Sequence, residues 1–538
     1  MEYSILPQPL NKVGEISMLK YLLKRLLHGI VSIIIVVTIV MVMIYGLLDP
    51  IQVFAKDPMF SRTGNNTRTV YMNQKWEEYG YQDYVTYGDY LNDLVAKGEL
   101  DSEAREKVGG IGRTPDKDSD AVAEYVQKFT DYYESQGYKI TRLDAKMTGR
   151  KVATGGQQTL FATKAIPLSH RVWEYFTGLL DVDSIHNVKE DIPDRGLTFT
   201  LHDPLAEGRF SPAIIGSGTT HKYLLYFDST FPYIHQNIVT IKLGTSYTVA
   251  TGIDVFETMT RSQGSYVLRQ VTFPTGLTED SADDLHTATY LAGSREGNLV
   301  YADRFVDDYT NVGMVRNGLS KLGYSFVIGI IATAMAYFLG VPLGVLMARK
   351  KETFIDNLGT LYIVFIIAVP SLAYIFLFKA IGFKLGMPTI FDMDSTSKLM
   401  YVLPIVSLAL PSIGSLMKWV RRYMIDQMNS DYVKFARSGG LTENEIFTKH
   451  ILKNAIVPIV HGIPASILGA MTGAIITERV YVVPGAGNLL TEAINKYDNS
   501  VIVSVTLFYA VLTVVSLLLG DILMATVDPR ISFTTKDR

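Results

Sequence analysis

Residues 431–455 read DYVKFARSGGLTENEIFTKHILKNA and separate two long apolar runs of the chain. This polar segment holds more Lys and Arg than Asp and Glu. Basic segments between membrane-spanning helices stay on the cytoplasmic side of the membrane. Because the segment is charged and helix-prone, we expect a cytoplasmic protein to dock on it. That expectation favours a membrane protein that is driven from inside the cell.

The 538-residue chain contains six apolar runs, each close in length to the roughly 20 residues that cross a bilayer. None of them contains Asp, Glu, Lys or Arg. Buried helices of a large soluble protein are the alternative, but six uncharged runs of this length would not fit a soluble core. We therefore predict six transmembrane helices. The runs are Ile30–Leu48, Leu322–Ala348, Leu358–Phe378, Leu399–Met417, Ala455–Thr477 and Val501–Gly520.

Basic residues gather before the first run and after the second, fourth and sixth runs, which share one side of the membrane if every run spans it. The positive-inside bias places that side, with both termini, in the cytoplasm. Residues 50–321, the inserted region, hold 28 Lys and Arg against 36 Asp and Glu and are predicted outside the cell. The basic residues are Lys20, Lys24, Arg25, Arg349, Lys350, Lys351, Arg421, Arg422, Lys434, Arg437, Lys449, Lys453, Arg530, Lys536 and Arg538.

The first run is longer than the apolar part of a signal peptide, and no small-residue cleavage site follows it, so we expect it to be retained. Met18 opens a basic lead into this run, and translation is expected to start at Met1 or Met18. Asp521 lies near the inner end of the last run. It is expected to snorkel or to pair with an Arg, with a buried functional carboxylate as the alternative. His461 is expected to be a packing residue.

The inserted region is too long for a simple loop and is predicted to fold by itself. One apolar helical face predicts a helix over 121–135, and residues 222–227 read as a strand after a glycine turn. We therefore expect an α+β domain. Its histidines lack the spacing of zinc ligands, and neither Gly-x-Ser-x-Gly nor His-Glu-x-x-His occurs in it.

Two absences in the full sequence narrow the function. The chain has no Cys, which excludes disulfide bonds, thiolate metal sites and a Cys nucleophile. It also lacks Gly-x-x-x-x-Gly-Lys-Ser/Thr, so it is not expected to bind ATP phosphates with such a loop.

The polar segment itself predicts two short helices joined by a sharp turn. Asp431 is expected to cap the first helix, and Gly439-Gly440 to end it, because glycine tolerates left-handed dihedrals. Thr442 and Glu445 have the spacing of a capping box at the start of the second helix. Force applied to such a compact unit would reach the flanking membrane helices directly. A passive linker is the alternative.

The polar segment resembles the EAA coupling loop of type I ABC importer permeases. Ala436, Gly440 and Leu452 stand at pattern positions, whereas Lys434, His450 and Lys453 depart from the general form. The peptide-transporting branch favours Tyr-Val-x-x-Ala-Arg, then Gly-Leu, then His-x-Leu-x-Asn-Ala. The matches to that form are Tyr432, Val433, Ala436, Arg437, Gly440, Leu441, His450, Leu452, Asn454 and Ala455.

Further blocks support the same resemblance. Glu478–Leu490 is similar to the Glu-x-Val-Phe-x-x-Pro-Gly-x-Gly segment of oligopeptide permeases, and Asp528–Ile531 to their Asp-Pro-Arg terminus. Residues 211–226 and 243–246 resemble the OppB and AmiC type of this family, which carries a long external insertion.

The resemblance implies a membrane all-α protein with six transmembrane helices of the type I ABC importer permease fold. A large α+β extracellular domain would be inserted between helices 1 and 2. The implied parts are an N-terminal cytoplasmic segment 1–25, transmembrane helix 26–49, the extracellular domain 50–321, a five-helix core 322–527 with coupling loop 420–454, and a cytoplasmic tail 528–538.

The resemblance also implies the function and the partners. The chain would be a permease subunit, not an enzyme, of an oligopeptide importer in a bacterial plasma membrane. Its partners would be a second permease of the OppC or AmiD type, two ATPases of the OppD/OppF or AmiE/AmiF type, and an extracellular peptide-binding lipoprotein of the OppA or AmiA type. ATP and Mg²⁺ would bind to the ATPases, so no cofactor, metal or nucleic acid is expected on this chain. The residues implied in ATPase coupling are Asp431, Tyr432, Lys434, Ala436, Arg437, Gly440, Leu441, His450, Leu452 and Asn454.

Other functions compete with this interpretation. A secondary transporter would need internal repeats and membrane-embedded charges, and neither is apparent in the sequence. A membrane-anchored extracellular binding or sensor protein would not need the Ala436, Gly440 and Leu452 pattern. An ABC importer of nickel or dipeptides is also compatible with the resemblance.

Overall fold

A computed structural model describes residues 12–112, 114–144, 147–148, 151–152, 158–182, 196–206, 209–216, 222–227, 233–290, 293, 299–306, 308–395 and 397–527. Within them the chain has an apolar helical half and, between its first two long helices, the mixed inserted region. The α-helices are α1 (Lys12–Leu47), α2 (Pro58–Arg62), α3 (Asn65–Glu78), α4 (Tyr87–Ala96), α5 (Ser102–Val108), α6 (Asp120–Ser135), α7 (Leu168–Thr177), α8 (Val255–Thr260), α9 (Leu299–Arg304), α10 (Lys321–Arg349), α11 (Phe354–Ala368), α12 (Ser371–Lys384), α13 (Val402–Met428), α14 (Asp431–Ser438), α15 (Glu443–Glu445), α16 (Leu452–Ala455), α17 (Val457–His461), α18 (Ile463–Tyr481), α19 (Ala486–Lys496) and α20 (Asn499–Val527).

Four helical stretches of the described residues are long and apolar enough to cross a membrane, and two bent helix pairs raise the number to six if each pair is one span. The bent pairs are α11 with α12, and residues 443–461 with α18. The core of this half contains buried side chains from α10, α13 and α18, such as Ile328, Leu408 and Ala474. The four single stretches are Lys20–Leu47, Lys321–Arg349, Lys398–Met428 and Asn499–Val527.

The third apolar run is bent sharply at the proline inside it. α11 and α12 meet at an angle of 105°. Val369 between them is extended, with φ −80° and ψ 127°, and Pro370 follows it. A residue before proline avoids the helical region, and proline donates no backbone hydrogen bond, so the helix breaks here. Pro342 and Pro411, by contrast, lie inside intact helices.

The inserted region is α+β in composition, and its strands pair antiparallel. The helix predicted over 121–135 is α6, whose Phe129 is fully buried, and the predicted strand is β9. The sheets have the strand orders β1-β5-β2, β10-β9-β8-β7, β11-β6, β12-β13, β14-β15 and β3-β4. The strands are β1 (Gln82–Thr86), β2 (Lys139–Leu143), β3 (Met147–Thr148), β4 (Lys151–Val152), β5 (Thr159–Ala165), β6 (Leu180–Val182), β7 (Leu197–Thr200), β8 (Ala213–Gly216), β9 (Tyr223–Phe227), β10 (Ile234–Gln236), β11 (Val239–Ile241), β12 (Arg269–Thr272), β13 (Thr278–Ser281), β14 (Asp283–Tyr290) and β15 (Tyr309–Met314).

One buried carboxylate joins the inserted region to the helical half. Asp498, at the start of α20, is fully buried. Its Oδ2 accepts hydrogen bonds from Ser246 Oγ (2.7 Å) and from the backbone N–H groups of Thr248 (2.8 Å) and Val249 (3.0 Å). A buried carboxylate is tolerated when donors surround it. Residues 246–249 are therefore held directly against the first turn of α20.

His286, on β14, is buried between two carboxylates. Its Nε2 lies 2.7 Å from Asp203 Oδ2, and its Nδ1 lies 2.9 Å from Asp284 Oδ1. The ring also stacks on Tyr226, with centroids 4.4 Å apart. Burial opposes protonation, but the two carboxylates outweigh it and raise the pKa of His286 to about 9. The sequence indicates an ordinary histidine here, and the structure makes it part of a buried charged cluster.

This cluster predicts a pH-dependent stability. The folded-state pKa of His286 lies above the unfolded value of roughly 6.5, so the imidazolium stabilises the fold fully below about pH 6.5. That contribution is lost as the pH rises through about 9. The melting temperature of the full chain should therefore fall between about pH 6 and about pH 10 as His286 loses its proton. The His286→Gln variant should lack this part of the fall. The exposed His170 provides the control, and an identical pH profile for His286→Gln and His170→Gln would refute the assignment.

Candidate functional site

The first helix of the polar segment begins one residue earlier than the sequence predicts. Ser430, and not Asp431, occupies the N-cap position of α14. Asp431 is the first helical residue, where a carboxylate still interacts well with the helix dipole. Its Oδ1 accepts a hydrogen bond from Lys434 Nζ at 2.8 Å. Residues 420–428 of the predicted coupling loop continue α13.

The turn between the two helices has the predicted geometry. α14 ends at Ser438, and Gly440 has φ +82°, in the left-handed region that favours glycine. Thr442 and Glu445 form the capping box of the following helix. That helix continues through a π-helical turn over Ile446–Ile451, which shifts the helical register before α16.

An ion pair bridges the turn. Arg437 Nη2 donates to Glu443 Oε2 at 3.1 Å, and Arg437 Nε donates to Glu443 Oε1. The hydrogen bond from Arg437 lowers the pKa of Glu443, so the pair is charged at neutral pH. Both side chains are solvent-exposed, and the bidentate geometry orders the turn more than it stabilises the fold.

One face of the polar segment is packed against the membrane helices. Val433 on α14 is fully buried in an apolar cluster with Val420 and Met424 of α13 and with Ala348 of α10. Arg349, at the end of α10, donates to Asn444 Oδ1 at 3.2 Å. Because close-packed interiors transmit displacement, a push on α14 would move the C-terminal ends of α10 and α13.

Other side chains of the polar segment are open to solvent. Phe435 is 76 % exposed, and the charged side chains of Lys434 and Arg437 lie beside it in sequence. Aromatic side chains and Arg are enriched at protein interfaces, so this exposed surface is a candidate docking surface. We call Lys434, Phe435, Arg437 and Leu441 the docking face.

The structure divides the ten residues that the resemblance implies into two groups. Exposed are Asp431, Lys434, Arg437, Gly440 and Leu441; partly buried are Tyr432, Ala436, His450, Leu452 and Asn454.

Phe435 is absent from the residues that the resemblance implies. The sequence does contain a signal for the exposure of Phe435. Phe435 follows the buried Val433 by two residues, or about 200° around a helix, so the two side chains point in opposite directions.

The turn glycines give a matched pair of substitutions. Gly440→Ala forces a Cβ into a left-handed conformation at a cost of about 1–2 kcal/mol, although the surrounding space is open. Gly439 has φ −77°, and a Cβ there would meet its nearest atoms at 3.5 Å. On the function that the resemblance implies, Gly440→Ala should lower peptide uptake several-fold and Gly439→Ala should leave it near wild type. Equal uptake by the two variants in a cell-based assay would show that the turn geometry is unimportant.

The Glu478–Leu490 block is a buried hydrogen-bonded junction. Glu478 on α18 is buried, and its carboxylate accepts from Ser325 Oγ of α10 (2.6 Å) and from the N–H of Asn488 at the start of α19 (3.0 Å). A Cβ on Gly485 would lie 2.2 Å from the Glu478 carboxyl carbon, so the backbone approaches the acid closely only with glycine. The block therefore joins α10, α18 and α19. The Asp528–Ile531 block lies outside the described residues.

Asp521 and His461 belong to one cluster near the C-terminal end of α20. Asp521 is buried, and its Oδ2 lies 2.7 Å from Arg25 Nη1 of α1. His461 Nε2, at the end of α17, lies 3.6 Å from Asp521 Oδ1. The predicted pairing of Asp521 with an Arg is confirmed. His461 links the helix that follows the polar segment to α20 and α1.

Comparisons with known proteins show which family the chain resembles. Residues 340–533 match the family model described as "Binding-protein-dependent transport system inner membrane component". The oligopeptide transport system permease protein AmiC of Streptococcus pneumoniae is 35% identical over 96% of this chain and 99% of its own length. The dipeptide transport system permease protein DppB of Lactococcus lactis is 31% identical over 41% of this chain and 73% of its own.

Among solved structures, an amino acid ABC transporter with histidines covers 39% of this chain and 92% of its own, at 17% identity. The TM-score of this superposition is 0.31, which is too low to support a conclusion.

Proposed function

The chain belongs to the family of binding-protein-dependent transport system inner membrane components, as an oligopeptide permease of the AmiC and OppB type, and we propose that it forms one half of a heterodimeric translocation path. A second permease of the OppC or AmiD type supplies the other half. The observation that carries the proposal is the docking face, an exposed aromatic and cationic surface on a segment packed against α10 and α13.

In the proposed topology six spans cross the membrane and both termini lie in the cytoplasm. The two bent helix pairs then count as spans three and five. The acidic inserted region forms an extracellular domain, and the polar segment faces the cytoplasm. The charge distribution supports this arrangement, because the basic residues lie at the inner ends of the spans.

The partners on the cytoplasmic side are two ATPases of the OppD/OppF or AmiE/AmiF type, which bind ATP and Mg²⁺ and carry out hydrolysis. One of them receives the docking face, with Phe435 in a pocket and Lys434 and Arg437 at the rim. When the ATPases close, the displaced α14 shifts the inner ends of α10 and α13. Such rigid-element motion can switch a path between inward-open and outward-open states.

On the outside, a peptide-binding lipoprotein of the OppA or AmiA type delivers the substrate to the extracellular domain. A weakly polar, water-filled path suits peptides of varied sequence better than a tight charged site. A dipeptide importer is the second candidate, since dipeptide permeases are also similar. Their similarity covers less than half of this chain, which favours the oligopeptide type.

Co-purification tests this assembly. We expect the tagged full-length chain, expressed with a candidate second permease and two ATPases, to be isolated with all three. ATP hydrolysis by the complex should rise when lipoprotein and peptide are added together. Isolation of the chain alone, with its partners well expressed, would count against the proposal.

A further inference from the structure

A cavity of about 620 Å³ lies between α1, α18 and α20. On α1 its wall runs from Arg25 to Val36, and on α20 it runs from Thr506 to Leu518. At 1.5 Å per residue, the stretch of α1 is roughly 16 Å long. One leaflet of the hydrocarbon core is half of roughly 30 Å, so the cavity extends over the depth of a single leaflet.

Arg25 lines one end of the cavity. Arg25 Nη1 contacts Asp521 Oδ2 and the Tyr21 hydroxyl, which fixes the guanidinium in place. Its Nε and Nη2 have no hydrogen-bond partner in the described part of the chain. Lys20 and Lys24 are exposed on the preceding turns of α1. A guanidinium with spare donors beside exposed lysines is a good ligand for a phosphate.

The body of the cavity suits a hydrocarbon chain better than a peptide. Ser32, Thr506 and Thr513 all donate their hydroxyls to backbone carbonyls of their own helices. Within the described residues, the Tyr509 hydroxyl is the buried polar side-chain atom of this wall that has no partner. A peptide backbone placed here would leave most of its polar groups without hydrogen bonds.

We propose that the cavity binds an anionic phospholipid of the cytoplasmic leaflet, with its phosphate on Arg25 and one acyl chain between α1 and α20. The inference rests on the proposed topology, which places Arg25 at the inner membrane surface.

Native mass spectrometry of the purified full-length chain tests the proposal. After removal of bulk lipid, we expect about one phosphatidylglycerol to stay bound per chain, and phosphatidylcholine to bind more weakly. Ala510→Trp fills the cavity and should lower phosphatidylglycerol retention at least about tenfold. Val511→Trp changes the neighbouring exposed residue, which does not line the cavity, and should retain the lipid.

Equal retention by Ala510→Trp and wild type, or equal loss in both variants, would overturn the assignment. A second experiment needs no substitution. A phosphatidylglycerol with a photoreactive acyl chain, added to membranes that contain the assembled complex, should label the cavity walls of α1 and α20. Labelling confined to the outer surfaces of the helices would overturn the proposal as well. Neither readout depends on peptide uptake, so the lipid site and the transport function can fail separately.

Discussion

Phe435→Ala should reduce peptide uptake at least about tenfold while leaving the amount of folded protein in the membrane unchanged. The side chain is 76 % exposed, so its removal costs the fold little. In the assembled importer we expect it to fill a pocket of the ATPase, and truncation of such an aromatic anchor costs about 2 kcal/mol or more of association. That loss weakens ATPase binding roughly thirty-fold. Radiolabelled peptide uptake and co-purified ATPase are the two measurements.

Phe383→Ala is the matched control for Phe435. Phe383 is 73 % exposed, but it lies at the far end of α12, on the opposite side of the proposed membrane. Its variant should transport like wild type and retain the ATPases. If Phe435→Ala kept full uptake and full ATPase binding, the docking face would have to lie elsewhere on the chain.

Asp498→Ala should destabilise the whole protein. The substitution leaves the Ser246 hydroxyl and the N–H groups of Thr248 and Val249 buried without their acceptor. Each unsatisfied donor costs about 1–3 kcal/mol, and we expect a total loss of roughly 3–5 kcal/mol. The inserted region should then detach from α20 and become sensitive to protease. The melting temperature in detergent and limited proteolysis of the full chain measure these effects.

Asp280→Ala is the control for Asp498. Asp280 is an exposed carboxylate of β13 that accepts one hydrogen bond from Gln270, so its loss should cost little. Equal melting temperatures for Asp498→Ala and wild type would mean that the buried carboxylate does not hold the two halves together.

Local features of the polar segment follow well from sequence. Glycine at a left-handed position and the Thr442–Glu445 capping box depend on neighbouring residues alone, and both are confirmed. The apolar runs likewise reveal the long helices, since span length is a property of a continuous stretch. A proline inside an apolar run indicates a kink or hinge, and the 105° bend at Pro370 agrees with that indication.

Long-range contacts lie beyond such reasoning. Asp498 meets donors about 250 residues earlier in the chain, and Asp521 meets Arg25 across almost the entire sequence. The sequence predicts that Asp521 pairs with an Arg but not with which one, and nothing in the local pattern of Asp498 distinguishes it from an exposed carboxylate. The exposed position of Phe435 is an intermediate case, because helical geometry indicates it once Val433 is known to be buried.

Transport in proteoliposomes tests the central claim most directly. The chain would be reconstituted with a candidate second permease, two ATPases and the peptide-binding lipoprotein, and the accumulation of a labelled oligopeptide would be followed. The account predicts accumulation that requires both ATP and the lipoprotein and that Phe435→Ala lowers at least about tenfold. Accumulation driven by an ion gradient without ATP, or undiminished when this chain is omitted, would contradict it.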